Sequence, residues 1–257
     1  MERLVYLYDG SFEGMLHAIA RAVKDGREVA AISTAQHYSR PALFETVLSL
    51  HTDIEQADRL LRYLQQLHPQ AADLALYSYL SEEPGVEMQL YAFVRLCLHY
   101  GRQALYYETN PAVAHLKGLQ HKVLHEAHRY KGLIRFRILA SDLHYGPFEP
   151  RHNVISLCAR HFRRRLAGCQ WMLHDLRRNI ALYWDTAELQ AVAVDAAFTA
   201  HVLSQGEVPG EQLAEHEHYY QQLWRGFHAA ISNPGRHNPQ LQRQFMPQRY
   251  WKYLIEK

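Results

Sequence analysis

Residues 129–185 read RYKGLIRFRILASDLHYGPFEPRHNVISLCARHFRRRLAGCQWMLHDLRRNIALYWD, and the fold class turns on them. Ile134, Phe136 and Ile138 alternate with Arg135 and Arg137. That period of two predicts a strand with one apolar and one basic face. The run LHYGPFEP predicts a pairing strand that ends, or bends at an edge, near Pro150. From about His152 the period changes: Val154, Cys158, Phe162 and Leu166 fall four apart, as on one stripe of a helix. Arg160, Arg163 and Arg164 lie on another face, and Gly168 stops the helix. WMLHDL, NIALYWD and LQAVAVD then predict two or three further strands. The expected unit is ββαβββ, a central antiparallel sheet carrying a basic helix.

Charge follows the same stretch. Residues 120–185 hold 12 Lys and Arg against 5 Asp and Glu, whereas residues 1–119 hold 10 against 14 and residues 186–257 hold 6 against 7. A chain near neutrality overall with a basic middle points to a polyanion on one face rather than to general stickiness. Part of the run has a local explanation. Arg163, Arg164 and Arg165 sit where a helix C-terminus favours cations.

Outward from this centre, RLVYLY at 3–8, a turn at Asp9-Gly10-Ser11, a helix from about Phe12 to Lys24 and EVAAIS at 28–33 predict a small βαβ start with parallel strands. The turn YDGSFEG offers free N–H groups at a helix start, a candidate anion site. Ser11 is equally an ordinary N-cap, and no Gly-Lys-Ser/Thr follows to make a Walker loop. Residues 34–52 read as loop with a short helical turn opened by Pro41. Helices are predicted over about 53–68, 70–80, 86–100 and from Pro111 to about Tyr130. The first half is thus α-rich. The expectation is one compact α+β chain, divisible into an α-rich subdomain at 1–119 and a sheet subdomain with a helical tail at 120–257. Near the end, His218 to Ile255 contains no Asp or Glu. Arg225, Arg236, Arg243, Arg249 and Lys252 interleave there with Phe245, Tyr250, Trp251 and Tyr253. Such a tail can neutralise phosphates and stack on bases, or simply anchor itself on the core.

Composition excludes several classes. No run of about 18 apolar residues is present, so no membrane span is expected. MERLVYLYDG lacks the long apolar segment of a secretory signal, which predicts a cytoplasmic protein. The 3 cysteines, Cys97, Cys158 and Cys169, are odd in number and far apart, arguing for free thiols. No cysteine spacing for an iron–sulfur cluster occurs, and no cofactor is expected of the chain. His121, His125 and His128 share a helical face, a spacing that can bind zinc. With 18 histidines in the chain, a solvated stripe is the expectation and no metal is assigned. HEAH falls one residue short of the metalloprotease spacing.

Five separated motifs, YDGSFEGML, HRYKGLIRFR, FEPRHNVISLCARHF, WMLHDLRRNIALY and NPQLQRQFMPQRYWKYL, together resemble a bacterial DNA-metabolism family paired with a radical-SAM DNA-repair protein. In other chains a similar domain is joined to a uracil-DNA glycosylase domain. The resemblance spans nearly the whole length and implies a DNA repair or modification context with a separate radical-SAM partner. It transfers no catalytic residues. Residues 1–257 carry neither the radical-SAM cysteine motif nor a glycosylase domain, so neither activity is expected of them.

Three functions are therefore open. The first is a DNA-binding repair protein, contacting the backbone with Lys131, Arg135 and Arg137, with Arg160, Arg163 and Arg164, with Arg177 and Arg178 of a hairpin, and with Arg243, Arg249 and Trp251 of the tail. The second is a nuclease or lesion hydrolase using Asp9 or Asp175 as a catalytic group. Asp175 lies ahead of Arg177 and Arg178, where it can act as a base or hold an arginine in place. The third is a protein-interaction subunit for the radical-SAM partner without direct DNA contact.

Overall fold

The computed structural model describes residues 3–38, 45–232, 235 and 238–256. Two compact units divide the chain, Met1–Leu124 and His125–Lys257. The expected α+β class is borne out.

The first unit begins with β1 (Arg3–Tyr8), α1 (Phe12–Asp25) and β2 (Val29–Thr34). Ser11 caps α1, its hydroxyl accepting the Gly14 N–H at 2.9 Å. β2 pairs parallel with β1, as expected. One element departs from expectation. Glu45–Ser49 is not helical but a third strand, β3, which pairs parallel on the other edge of β1. Thr46 and Val47 carry the branched Cβ that suits a strand, and β1 has a free edge to fill. Pro41, expected to open the turn, lies outside the described residues. The order β2-β1-β3 places β1 at the centre, which is why Leu4, Val5 and Tyr6 are a continuous buried run. Helices α2 (Ile54–Leu67), α3 (Pro69–Ser81) and α4 (Val86–Tyr100) supply the rest of this core through Leu64, Leu74, Leu90 and Phe93. Asp53 caps α2, and Pro69 opens α3 at the position where its missing N–H is harmless. Helix α5 (Pro111–Leu133) starts in this unit and runs three residues beyond the expected Tyr130.

The second unit is built on a five-stranded sheet of order β4-β5-β6-β7-β8. Its strands are β4 (Arg137–Ile138), β5 (His144–Phe148), β6 (Trp171–Asp175), β7 (Ile180–Trp184) and β8 (Leu189–Val192). Helix α6 (Ile155–Arg165) connects β5 to β6. The order of elements is the expected ββαβββ. Three of the four pairings are antiparallel, and β5–β6 is parallel. That exception follows from the chain: a helical crossover returns a strand in the same direction, whereas a tight turn reverses it. Val154, Cys158 and Phe162 are buried as the four-residue stripe predicts.

The first predicted strand is mostly absent. Only Arg137 and Ile138 pair in the sheet. Ile134 and Phe136 instead cross over β5 at Gly146, where an added Cβ would lie 2.9 Å from Ile134 Cγ2 and 2.9 Å from Phe136 Cε1. Ile134 and Phe136 thus cap the sheet rather than extend it, while Ile138 stays in β4. Pro147 is tolerated because two-residue β4 ends before reaching it. Beyond the sheet lie α7 (Ala196–Gln205), α8 (Glu217–Ile231) and α9 (Pro239–Phe245), followed by a 3-10 turn at Gln248–Tyr253. Among the described residues no helix is long and apolar enough to cross a membrane.

Candidate functional site

The arginines expected to form a nucleic-acid surface divide into two groups. Several are turned to partners within the fold. Arg135 grips Glu256 with Nη2 at 2.7 Å and Nε at 3.2 Å, and its guanidinium lies 5.0 Å from the Trp224 ring centre. Burial alone would raise the Glu256 carboxyl, yet the Arg135 and Trp224 donors hold it below the ordinary range. Arg137, expected on a solvated basic face, is only 4% exposed and donates to the carbonyls of Arg135, Gly206 and Tyr253. Arg178 pairs with Asp175 at 2.8 Å and reaches the carbonyls of Pro150 and Arg151. In the tail, Arg249 donates to the Tyr250 hydroxyl and stands 3.6 Å from Glu126. Trp251 Nε1 donates to the Met246 carbonyl, and Arg243 Nε to that of Pro239. Arg236 lies outside the described residues.

The second group faces water, as Arg243 and Arg249 also do beside the bonds just given. Arg177 stands on the β6–β7 turn and is exposed, as are Arg160, Arg163 and Arg164 on α6. Lys131, on the last turn of α5 rather than on a strand, joins Arg160 and Arg164 around a depression of about 500 Å³. His161 and Arg165 complete its polar lining, and among the described residues no carboxylate contributes to it. Leu157 forms an apolar part of the wall. His161 and Arg165 were not among the expected contacts, although the sequence carries their signal. Leu157, Arg160, His161, Arg164 and Arg165 follow the i, i+3, i+4, i+7, i+8 spacing of one helix face. The field is visible in one titratable group. Burial lowers the His161 pKa, and Lys131 and Arg165 lower it further. Arg163 leans 5.9 Å from the Trp184 ring centre.

Both candidate catalytic carboxylates accept hydrogen bonds that shape the chain around them. Asp9 closes the start of α1. Oδ1 accepts the Ser11 N–H at 2.9 Å and the Ser11 hydroxyl at 2.6 Å, while Oδ2 accepts the Thr52 hydroxyl at 2.7 Å. The Ser11 hydroxyl, then its backbone donor, then Thr52 hold the Asp9 carboxyl below its ordinary value. The position where an anion would sit at this helix start is thus filled by the chain's own carboxylate. Asp175 is fully buried. Oδ1 accepts the N–H groups of Arg177 and Arg178 at 3.1 and 3.2 Å, shaping the β6–β7 turn, and Oδ2 takes the Arg178 guanidinium. Burial raises its pKa more than Arg178 lowers it. Glu126 is likewise structural, accepting the N–H groups of Arg151 and His152 ahead of α6.

His174 beside Asp175 is fully buried, and nothing in its local pattern announces its partners. Its Nε2 meets Asn179 Oδ1 at 3.1 Å, so this nitrogen carries the proton. Nδ1 then accepts from the Tyr145 hydroxyl at 2.8 Å. Thr199 also donates to Asn179 Oδ1, at 3.1 Å. Burial holds the His174 pKa below the ordinary value. His121, His125 and His128 lie along α5. Among the described residues no group of three or more His, Cys, Asp or Glu side chains is placed to hold a metal ion.

Fold and site together define an α+β protein that presents a cationic helix face beside a mainly antiparallel sheet. Residues 84–256 match the family model described as a domain of unknown function, DUF4130, and the chain belongs to that family. The match takes in α4, α5 and nearly all of the second unit, including α6 and its cations. No curated protein matches the chain.

Proposed function

We propose that this chain binds the phosphate backbone of nucleic acid through the α6 face, and serves DNA repair beside a separate radical-SAM enzyme. The repair context and the radical-SAM partner rest on the motif resemblance. The binding surface rests on one observation: Lys131, Arg160, Arg164 and Arg165 surround a single depression in which no carboxylate of the described residues neutralises them. Cations held together in this way repel one another, and a polyanion relieves the repulsion while releasing its counterions. The surface is narrower than the sequence implied, because Arg135, Arg137 and Arg178 are engaged elsewhere. A non-catalytic role fits Asp9 and Asp175, whose oxygens are occupied by cap and turn donors.

Fluorescence anisotropy with single- and double-stranded oligonucleotides at two salt concentrations tests the reading. Binding should weaken steeply with salt. Arg160→Ala with Arg164→Ala should lower the slope of log K against log salt by up to about 2, at roughly 0.9 for each phosphate no longer neutralised. Absence of binding at low salt, or an unchanged slope in the double variant, would overturn it.

A second reading has its own observation. Tyr219, Leu223, Phe227 and Ile231 fall four apart along α8, and each is more than half exposed. An apolar helix stripe of this kind suits helix-in-groove docking to a protein partner. Co-purification of the radical-SAM protein with Leu223→Ser plus Phe227→Ser tests it. Undiminished capture would count against docking there.

A further inference from the structure

Arg137, expected on a solvated strand face, lies instead at the floor of a cleft. A cavity of about 490 Å³ is lined by Arg137, Arg225, Lys252, His218 and Glu207, with apolar walls that include Val208 and Trp251. Gly206 lets the wall close. Its φ is +76°, and an added Cβ would stand 2.6 Å from the Lys252 carbonyl oxygen.

The guanidinium is only partly satisfied within the fold. Its three bonds are to carbonyls at 3.4, 3.3 and 3.2 Å, at or beyond the long end for N–H···O. Among the described residues, Nε donates to nothing and no carboxylate stands within ion-pair distance. Glu217 and Glu207 act on it only from longer range. Glu217 is committed elsewhere, accepting the Ile138 N–H and the Gln221 amide. A guanidinium keeps its charge when buried, and an uncompensated buried charge is strongly unfavourable. Burial accordingly holds the Arg137 pKa below the ordinary arginine value. Two further cations line the same cleft, where Glu207 is the one lining carboxylate among the described residues: Arg225, whose Nε donates to the Ile255 carbonyl, and Lys252, whose Nζ reaches the Leu203 carbonyl and stands 3.9 Å from Glu149.

We propose that this cleft is a binding site for a small oxyanion, a carboxylate or phosphate group on a partly apolar body, with Arg137 as its buried anchor. The Arg137 Nε–H, which has no acceptor among the described residues, offers either group a charged donor. Arg225 adds charge from the exposed side, Lys252 stays shared with Glu149, and the apolar wall covers the body of the ligand. The site is independent of the α6 face and uses none of its cations.

Calorimetric titration of the full chain with sodium phosphate, and separately with sodium benzoate, tests the assignment in chloride buffer of matched ionic strength. Saturable binding of at least one anion is expected, and which one binds identifies the group. Arg225→Gln should weaken it tenfold or more. Gly210→Trp should abolish it by filling the cleft, since a Cβ at Gly210 meets nothing within 4 Å. Arg137→Gln should also abolish it. If that variant fails to fold, the other two decide. Arg160→Ala with Arg164→Ala should leave binding unchanged, separating this cleft from the α6 face. No saturable binding of either anion, binding unaltered in both Arg225→Gln and Gly210→Trp, or binding lost in the α6 variant would each overturn the proposal.

Discussion

Replacing Asp175 by Asn separates a structural carboxylate from a catalytic one. Asparagine keeps an oxygen where Oδ1 accepts the Arg177 and Arg178 N–H groups, so the turn retains its shape. What changes is Oδ2, which becomes an NH2 facing the Arg178 guanidinium across 2.8 Å. Donor then meets donor, and a guanidinium whose side chain is only 9% exposed loses its counter-charge. Breaking a buried pair in this way costs about 3–5 kcal/mol. In a chain of this size each kcal/mol shifts the melting temperature by about 2–4 °C. Thermal unfolding followed by circular dichroism should therefore show a fall of roughly 10 °C. Burial already outweighs the Arg178 attraction in setting the Asp175 pKa. Removing both charges, in Asp175→Asn with Arg178→Met, should therefore recover much of the loss, as apolar replacements of buried pairs do. An unchanged melting temperature in Asp175→Asn would refute the structural reading. Loss of a DNA-processing activity at unchanged stability would restore Asp175 as a catalytic candidate.

Other outcomes follow from single contacts. The unfolded chain protonates His174 as pH falls through about 6.5, whereas burial delays this in the folded chain. Stability should therefore drop as pH is lowered from about 7.5 to about 5.5, and His174→Gln should flatten that slope in a melting series. Gly146→Ala should destabilise by about 1–3 kcal/mol through overpacking against Ile134 and Phe136, measured by urea unfolding. Asp9→Ala removes the donors' shared acceptor at the start of α1 and should cost about 1–2 kcal/mol in the same assay. It should leave oligonucleotide affinity unchanged, since no α6 cation is touched.

Much of the architecture is legible without coordinates. Ser11 and Asp53 open α1 and α2 because capping is a local matter between a side chain and an N–H group three residues on. The stripe Val154, Cys158, Phe162 announces the buried face of α6 because a helix repeats every 3.6 residues wherever it sits. β3 escapes such reading because a short strand is defined by the neighbour it pairs with, and ETVLS alone does not name β1.

Local sequence thus determined most of the helices, the basic middle of the chain and the cationic face of α6, because charge count and helical period need no partner to be read. Tertiary structure alone decided which cations remain available. Arg135, Arg137 and Arg178 look equivalent to Arg160 and Arg164 in the sequence, yet their partners, Glu256, the carbonyls of Gly206 and Tyr253, and Asp175, include groups up to 121 residues away. The physical reason is that burial and ion pairing depend on what the rest of the chain brings alongside. The periodicity of a single segment records only which way its own side chains point.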